Sequence, residues 1–467
     1  MRNLLSERFP RFVHQNGSTV KLSTSNRRIA AGLAGAAAIA LLVAGCATAT
    51  PSGSNSPSSD SGKALPAVAA CGSGEDSSST FALGSFLPLT GSLSFLAPPA
   101  VAGVGAALSD INAAGGVNGK KACIISQDSS DGDHKATGDS NIKALIQAKP
   151  SAIVGPESSS VTHNILPVTQ PTNTIVFSPA ATDDALAGEA HFFRNVAPNA
   201  AEGDALAKQI LTDVPGAKVG ILVFNDAYGI NLRDTLASSL KAGGGSVVYG
   251  GAGQEFPSTE TSFGTIVNNV LATQPDAIAI IAFDQTSQIL PALGSANFAG
   301  SKLYFVDGNL SDYTKTAGVP DLTGAKGTQQ GVDADKSFKN KLDAWYKAND
   351  GKGKGLGGIF NYGPESYDAV VTLALAADLA KKNDSASIEP FILPVTGSTG
   401  GKVCKSYADC LKLISGGATD IWYQGPSSIG PLNDQHNPST AYVGIYEAAG
   451  KNTAAKFLTG VKATISK

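Results

Sequence analysis

From Phe81 onward, short apolar runs alternate with longer amphipathic stretches, and this alternation limits the chain to one class of fold. The runs cover residues 81–86, 122–126, 152–154, 174–177, 219–224, 246–249, 277–282 and 303–306. Between them, apolar residues recur at helical spacing over 101–113, 136–148, 201–212, 230–242 and 263–273. Several runs are apolar on both faces, as parallel strands covered on both sides must be. Strand–helix alternation of this kind predicts doubly wound α/β sheets. Two sets of four or five units predict two parallel-sheet lobes, with the break near Val196-Ala197-Pro198-Asn199. After Gly324 the pattern changes to longer helices over 337–348 and 364–381, and a strand near 442–446 closes the chain.

The N-terminal region obeys other rules. Arg27-Arg28 precedes an apolar run over 29–44, which ends at Leu42-Val43-Ala44-Gly45-Cys46. A basic pair, a short apolar stretch and a small-residue exit form a secretion signal. The run is shorter than the roughly 20 apolar residues that cross a bilayer. A cysteine directly after small residues resembles the lipobox of bacterial lipoproteins, which implies lipidation at Cys46 and anchoring to the outer face of the cell membrane. The next segment, rich in Ser, Gly and Pro (Pro51-Ser52-Gly53-Ser54-Asn55-Ser56-Pro57), cannot bury enough apolar surface to offset its ordering entropy. As a flexible coil it reaches on the order of 30 Å. Residues 1–20 are long for a charged leader, so translation is expected to start near Val20. The expected organisation is a lipoprotein signal peptide over 1–45 and a tether over 46–79. Lobe 1 covers 80–198 plus about 325–432, and lobe 2 covers 199–324 plus about 433–467.

The whole chain carries 35 basic and 38 acidic residues; the leader through Gly45 holds six and one of these, so the remainder has 29 and 37, a net charge near −8. That excludes the basic footprint of a nucleic-acid-binding protein. Besides Cys46 there are four cysteines, Cys71, Cys123, Cys404 and Cys410, which allow three pairings. Cys404 and Cys410 are close enough to clip a local loop, which leaves Cys71 with Cys123. A four-cysteine metal site lacks paired C-x-x-C spacing.

In doubly wound sheets, ligands bind beyond the carboxyl ends of the strands. The residues there are Gly155-Pro156-Glu157-Ser158-Ser159-Ser160, Ser178-Pro179-Ala180-Ala181-Thr182, Asn225-Asp226-Ala227-Tyr228-Gly229, Phe283-Asp284 and Asp307-Gly308-Asn309. Hydroxyls and helix N-termini at such places suit an anionic ligand group.

Together with Pro88-Leu89-Thr90-Gly91 and Ile111-Asn112-Ala113-Ala114-Gly115-Gly116-Val117-Asn118-Gly119-Lys120, these stretches resemble the branched-chain amino-acid-binding receptors of ATP-driven (ABC) importers. That family has the type I periplasmic binding-protein fold. The resemblance covers residues 81 to about 446. It implies two lobes joined by three hinge crossings, closing on a ligand that is delivered to the permease subunits of an importer. By position, Ser159 and Thr182 resemble the hydroxyls that hold an amino acid's carboxylate. Ala180 offers its carbonyl to the ammonium, which Asp307 faces. Tyr228 resembles the aromatic wall of the second lobe, and Phe283 with Phe95 or Leu96 lines the side-chain pocket. Asn199 departs from relatives that place an acid at the hinge, which keeps a neutral amide or urea-type solute open as an alternative. A ligand sensor for a membrane signalling partner is another.

An enzyme is not expected. There is no G-x-S-x-G elbow. The histidines, at 14, 134, 163, 191 and 436, have no metal-ligand spacing. Gly353, Gly355 and Gly358 form a G-x-G-x-x-G without a preceding strand, hence a loop. Asp131-Gly132-Asp133 reads as a solvated turn. The expectation is a monomeric receptor, needing neither cofactor nor metal and binding no nucleic acid.

Overall fold

A computed structural model describes residues 66–428 and 430–465. The signal, Cys46 and most of the expected tether lie outside the described residues. The first lobe is built from β1 (Ala82–Leu87), α1 (Ala97–Ala113), β2 (Cys123–Asp128), α2 (Lys135–Gln147), β3 (Ala152–Val154), α3 (Ser159–Thr169), β4 (Val176–Ser178) and β5 (Phe192–Arg194). Its sheet runs β2-β1-β3-β4-β5, parallel throughout. Side chains on β3 and β4 go alternately to opposite faces, and both faces are buried. Val154 and Phe177 pack with α1 residues such as Val104, whereas Ile153 and Val176 pack with Ile142 of α2 and Ile165 of α3. A strand covered twice gains apolar burial on each face, which is why these runs read as continuous hydrophobic stretches.

The second lobe follows with α4 (Asn199–Asp213), β6 (Lys218–Val223), α5 (Ala227–Ala242), β7 (Ser246–Tyr249), α6 (Gly264–Ala272), β8 (Ala277–Ile281), α7 (Thr286–Ser295), β9 (Leu303–Phe305) and β10 (Lys326–Gln330). The chain then returns to the first lobe with α8 (Lys336–Asn349), α9 (Gly363–Ala380), α10 (Ser385–Val395), β11 (Lys402–Cys404), α11 (Tyr407–Ser415) and β12 (Ile421–Tyr423). It ends in the second lobe with β13 (Thr440–Ala449) and β14 (Asn452–Thr464). The second sheet runs β14-β13-β10-β9-β8-β6-β7; it is parallel from β7 to β10 and antiparallel where β13 joins β10 and β14 joins β13. The chain therefore passes between the lobes three times, after β5, β10 and β12, as the resemblance implies.

Three expectations need correction. Residues 326–330 belong to the second sheet as β10, so the return to the first lobe comes after Gln330 and not at 325. Their polar sequence, Lys-Gly-Thr-Gln-Gln, carries no apolar run. The chain closes with a hairpin, β13–β14, and not with one strand. Residues from Pro66 onward, expected in the tether, pack on the first lobe instead. Ser109 Oγ donates to the Pro66 carbonyl at 2.8 Å, Ala70 bridges to Ile124, and the Cys71 N–H donates to the Ile124 carbonyl at 3.0 Å. The physical reason is that β2 is an edge strand whose unpaired backbone groups accept this segment. The Cys71–Cys123 disulfide, Cα–Cα 4.9 Å, fixes it there, and Cys404–Cys410 is joined at 5.2 Å.

Helix α1 shows how a small-residue sequence sets packing. A Cβ on Gly105 would collide with the Trp345 indole of α8, so only glycine lets the two helices approach this closely. The G-x-G-x-x-G forms part of the loop between α8 and α9. Asp131 caps the turn after β2, accepting from the backbone N–H groups of Asp133 and His134. No helix among the described residues is long and apolar enough to cross a membrane.

Candidate functional site

The residues that end β3, β4, β6, β8 and β9 meet between the lobes. Ser159 and Ala180 from the first lobe and Tyr228, Phe283 and Asp307 from the second line one cavity of about 20 Å³. Leu93, Leu96, Glu157, Gly308 and Tyr362 complete its wall. The lobes are shut around it. Ser160 Oγ donates to Asp226 Oδ2 at 2.6 Å across the gap, Ser258 Oγ donates to Asp133 Oδ1 at 2.6 Å, and Asn361 Nδ2 donates to the Leu310 carbonyl at 3.2 Å. A cavity this size holds about one water molecule, so a larger guest enters only after the lobes part.

The first-lobe wall is organised by helix α3. Ser158 caps it, its hydroxyl accepting the Val161 N–H at 3.2 Å. Ser159 Oγ accepts the N–H groups of Thr182 and Asp183, both at 3.2 Å, which leaves its own hydrogen free to donate. Thr182 does not line the cavity, but its buried Oγ1 has no partner. The loop carrying it is held from beneath by Arg194, which donates through Nη1 to the Ala181 and Asp183 carbonyls at 3.1 and 2.8 Å. Burial pushes the Arg194 guanidinium down to about 10.

In the second-lobe wall, Tyr228 and Phe283 stack with centroids 5.4 Å apart and ring planes 18° from parallel. Gly308 permits this: a Cβ there would sit 3.0 Å from the Phe283 ring and 3.1 Å from the Tyr228 hydroxyl. Asp307 Oδ1 accepts the Tyr228 hydroxyl at 2.6 Å, and Oδ2 accepts Gln330 Nε2 at 3.0 Å. Behind it Glu202, in the first turn of α4, accepts the Asp307 N–H at 3.0 Å and the Thr328 hydroxyl at 2.6 Å. Burial first, and then the charge of Asp307, hold Glu202 well above the usual carboxylate range. The same two causes raise the Tyr228 and Tyr362 hydroxyls.

Phe95 departs from expectation. It is half-buried against the apolar cluster that runs between the lobes, and the cavity wall is formed by Leu93 and Leu96 instead. Phe95 precedes the first turn of α1, and Leu93 and Leu96, three residues apart, share the inward face. Asn199 opens α4 and donates to Asn231 Oδ1 at 2.8 Å; the buried acid beside the hinge stands three residues later, at Glu202. Sequence reasoning also missed Glu157 and Tyr362 as wall residues. Glu157 lay inside a motif valued for its serines. Tyr362 follows no strand, and it adopts a left-handed backbone with φ 61° that bulky residues enter at a cost. Among the described residues no group of three potential ligands could hold a metal ion.

Two doubly wound lobes, crossed three times and walled by the carboxyl ends of both sheets, define a two-lobed binding protein whose candidate site is the interlobe cleft. The chain belongs to the periplasmic binding protein family, whose model matches residues 80–392. It is 31% identical over 210 residues to the chemotactic signal transduction system substrate-binding protein BasB of Halobacterium salinarum, covering 43% of this chain and 49% of that one. It is 27% identical over 242 residues to Leu/Ile/Val-binding protein homolog 8 of Brucella abortus, covering 50% and 58%. The chain thus spans about half the length of these curated relatives. The branched-chain amino acid transporter substrate-binding protein LivJ of Streptococcus pneumoniae, solved with isoleucine, shares the fold: TM-score 0.64, 19% identity, 83% of this chain and 100% of that one. Membership of this family places the globular part outside the cytoplasm.

Glu157 is the wall residue with the simplest electrostatics. It is buried, neither carboxyl oxygen has a hydrogen-bond partner, and burial alone pushes it up to about 8. Its folded value lies above the unfolded one, so the folded state keeps a proton that the unfolded state releases. The resulting stability is complete below about pH 4.5 and is lost as pH rises towards 8. In urea titrations of ligand-free protein, the loss between pH 5 and 8 is expected to be steeper for wild type than for Glu157→Gln, by up to about 1.4 kcal/mol per pH unit. Equal slopes would show that Glu157 is already ionised in the folded protein.

Proposed function

We propose that this chain is an extracytoplasmic receptor that captures an amino acid, or a similar small polar solute, and delivers it to an ABC importer by hinge closure. The observation that carries the reading is the meeting of Ser159 and Ala180 from one lobe with Tyr228, Phe283 and Asp307 from the other around one buried cavity. A zwitterion that leaves water needs a partner for each charge. The Ser159 hydroxyl, the unpartnered Thr182 Oγ1 and the start of α3 serve the carboxylate. Asp307 and the Ala180 carbonyl serve the ammonium by charge-assisted hydrogen bonds. Tyr228 and Phe283 cover the rest. Only the closed form brings both sets of groups to the ligand, so binding moves an open–closed equilibrium towards closure. The relatives named for Leu/Ile/Val and isoleucine support an amino acid as the guest. The chemotactic name of the Halobacterium relative favours a second reading, a sensor for a membrane signalling partner with the same pocket.

The receptor acts as a monomer, tethered by a lipid on Cys46 and docking in its closed form on permease subunits. Binding changes no covalent bond in the ligand, so no enzymatic turnover is involved.

Thermal melts against the twenty standard amino acids and a set of small amines and amides are expected to identify at least one stabilising ligand, because binding to the native state alone raises the melting temperature. Asp307→Ala should weaken that ligand at least tenfold, about 1.4 kcal/mol, with the far-ultraviolet circular dichroism unchanged; equal affinity in calorimetry would remove Asp307 from the site. Cys46→Ala is expected to move the protein from the membrane fraction to the soluble one. Continued pelleting with membranes would speak against a lipid on Cys46.

A further inference from the structure

We propose that Glu157 receives a second positive charge on the ligand, so that the cleft takes a basic amino acid or a small diamine in preference to an aliphatic amino acid. This rests on the receptor reading above and sharpens which solute the same cavity selects.

Glu157 follows β3 and precedes the cap of α3, which fixes its place in the first-lobe wall. It is 4% exposed, lines the cavity, and has no hydrogen bond on either carboxyl oxygen. A buried polar group without partners is rare in folded proteins, because it forfeits its hydration and gains nothing in return. Glu157 therefore contributes no hydrogen bond to the fold. Its carboxyl group is free for a guest.

The surroundings specify the sign of that guest. Glu157 and Asp307 line the same cavity, and Glu202 stands directly behind Asp307. None of the described wall residues is Lys, Arg or His. The buried Arg194 is turned to the backbone carbonyls of Ala181 and Asp183 and to Asn437. Tyr362 feels Asp307, Glu202 and Glu157 together, which places its hydroxyl within the field of all three. The remaining wall offers aromatic faces from Tyr228, Phe283 and Tyr362, and aromatic faces attract cations. An isoleucine side chain would leave the Glu157 carboxyl dry and unpaired. An ammonium would satisfy it by a charge-assisted bond.

The test is calorimetry on the full detergent-extracted chain with L-lysine, L-ornithine, L-isoleucine and L-glutamine, using wild type, Glu157→Gln and Glu157→Leu. Wild type is expected to bind L-lysine or L-ornithine at least tenfold more tightly than L-isoleucine. Both variants should weaken the basic ligand at least tenfold, and Glu157→Leu should strengthen L-isoleucine. Preference of wild type for L-isoleucine, with no change in Glu157→Gln, overturns the role of Glu157 and leaves the receptor reading intact. Preference for L-glutamine retained in Glu157→Gln assigns position 157 to a neutral amide and overturns the charge argument. Failure of wild type to bind any of the four overturns this proposal, and a silent thermal-shift panel would then remove the receptor reading as well.

Discussion

A carboxylate withdrawn from water must find a counter-charge, accept several hydrogen bonds or take up a proton. The interlobe cleft holds its acids in the last two of these conditions at once. Asp307 accepts from Tyr228 and Gln330 and keeps lone-pair capacity on both oxygens. Glu202 is pushed towards its neutral form by burial and by Asp307. Glu157 has neither bond nor charge beside it. The closed form thus keeps Glu157 as a proton-holding carboxyl without a hydrogen-bond partner, the group that the proposal above assigns to a cationic ligand. A ligand that meets it together with Asp307 gains differential affinity for the closed state, and only differential affinity can move a conformational equilibrium.

The fold delivers these groups through one geometric fact. The carboxyl ends of both sheets face the cleft, so any residue just beyond a strand is presented to it. Seven of the wall residues arrive this way, after β3, β4, β6, β8 and β9. Their neighbours hold them in place: Arg194 under the Ala181–Asp183 loop, Gly308 beneath the Tyr228–Phe283 stack, and Gln330 against Asp307. The same proximity makes the lobes touch through Ser160 and Asp226 and through Asp133 and Ser258.

Much of this was legible in the amino-acid pattern, and the failures have physical causes. Strands with two buried faces, such as β6 and β8, announce themselves as apolar runs. Strand β10 does not, because its Thr328 and Gln330 side chains are spent on Glu202 and Asp307 instead of on an apolar core. A strand that serves the site breaks the local rule that identifies strands. Tyr362 escaped because its place in the wall comes from the loop between α8 and α9 and a left-handed backbone, neither of which has a periodic signature. The resemblance offered Phe95 or Leu96 for the wall by position, and the turn into α1 brings Leu96, with Leu93, to the cavity and leaves Phe95 outside it. Glu157 was hidden by its neighbours: the serine-rich start of α3 has an obvious capping role, and only the structure shows the carboxyl without a partner.

The most direct measurement compares titration calorimetry of the wild-type chain with L-lysine and L-isoleucine against the same amino acids acetylated at the α-nitrogen. Acetylation removes the α-ammonium charge, the one assigned to Asp307 and the Ala180 carbonyl, and leaves the carboxylate and the side chain, including the ε-ammonium of L-lysine, in place. The expected result is that whichever free amino acid binds loses at least a hundredfold in affinity on acetylation, about 2.7 kcal/mol. Equal affinity for the acetylated and free forms would contradict the central claim that Asp307 in the cleft holds the ligand by its α-ammonium charge.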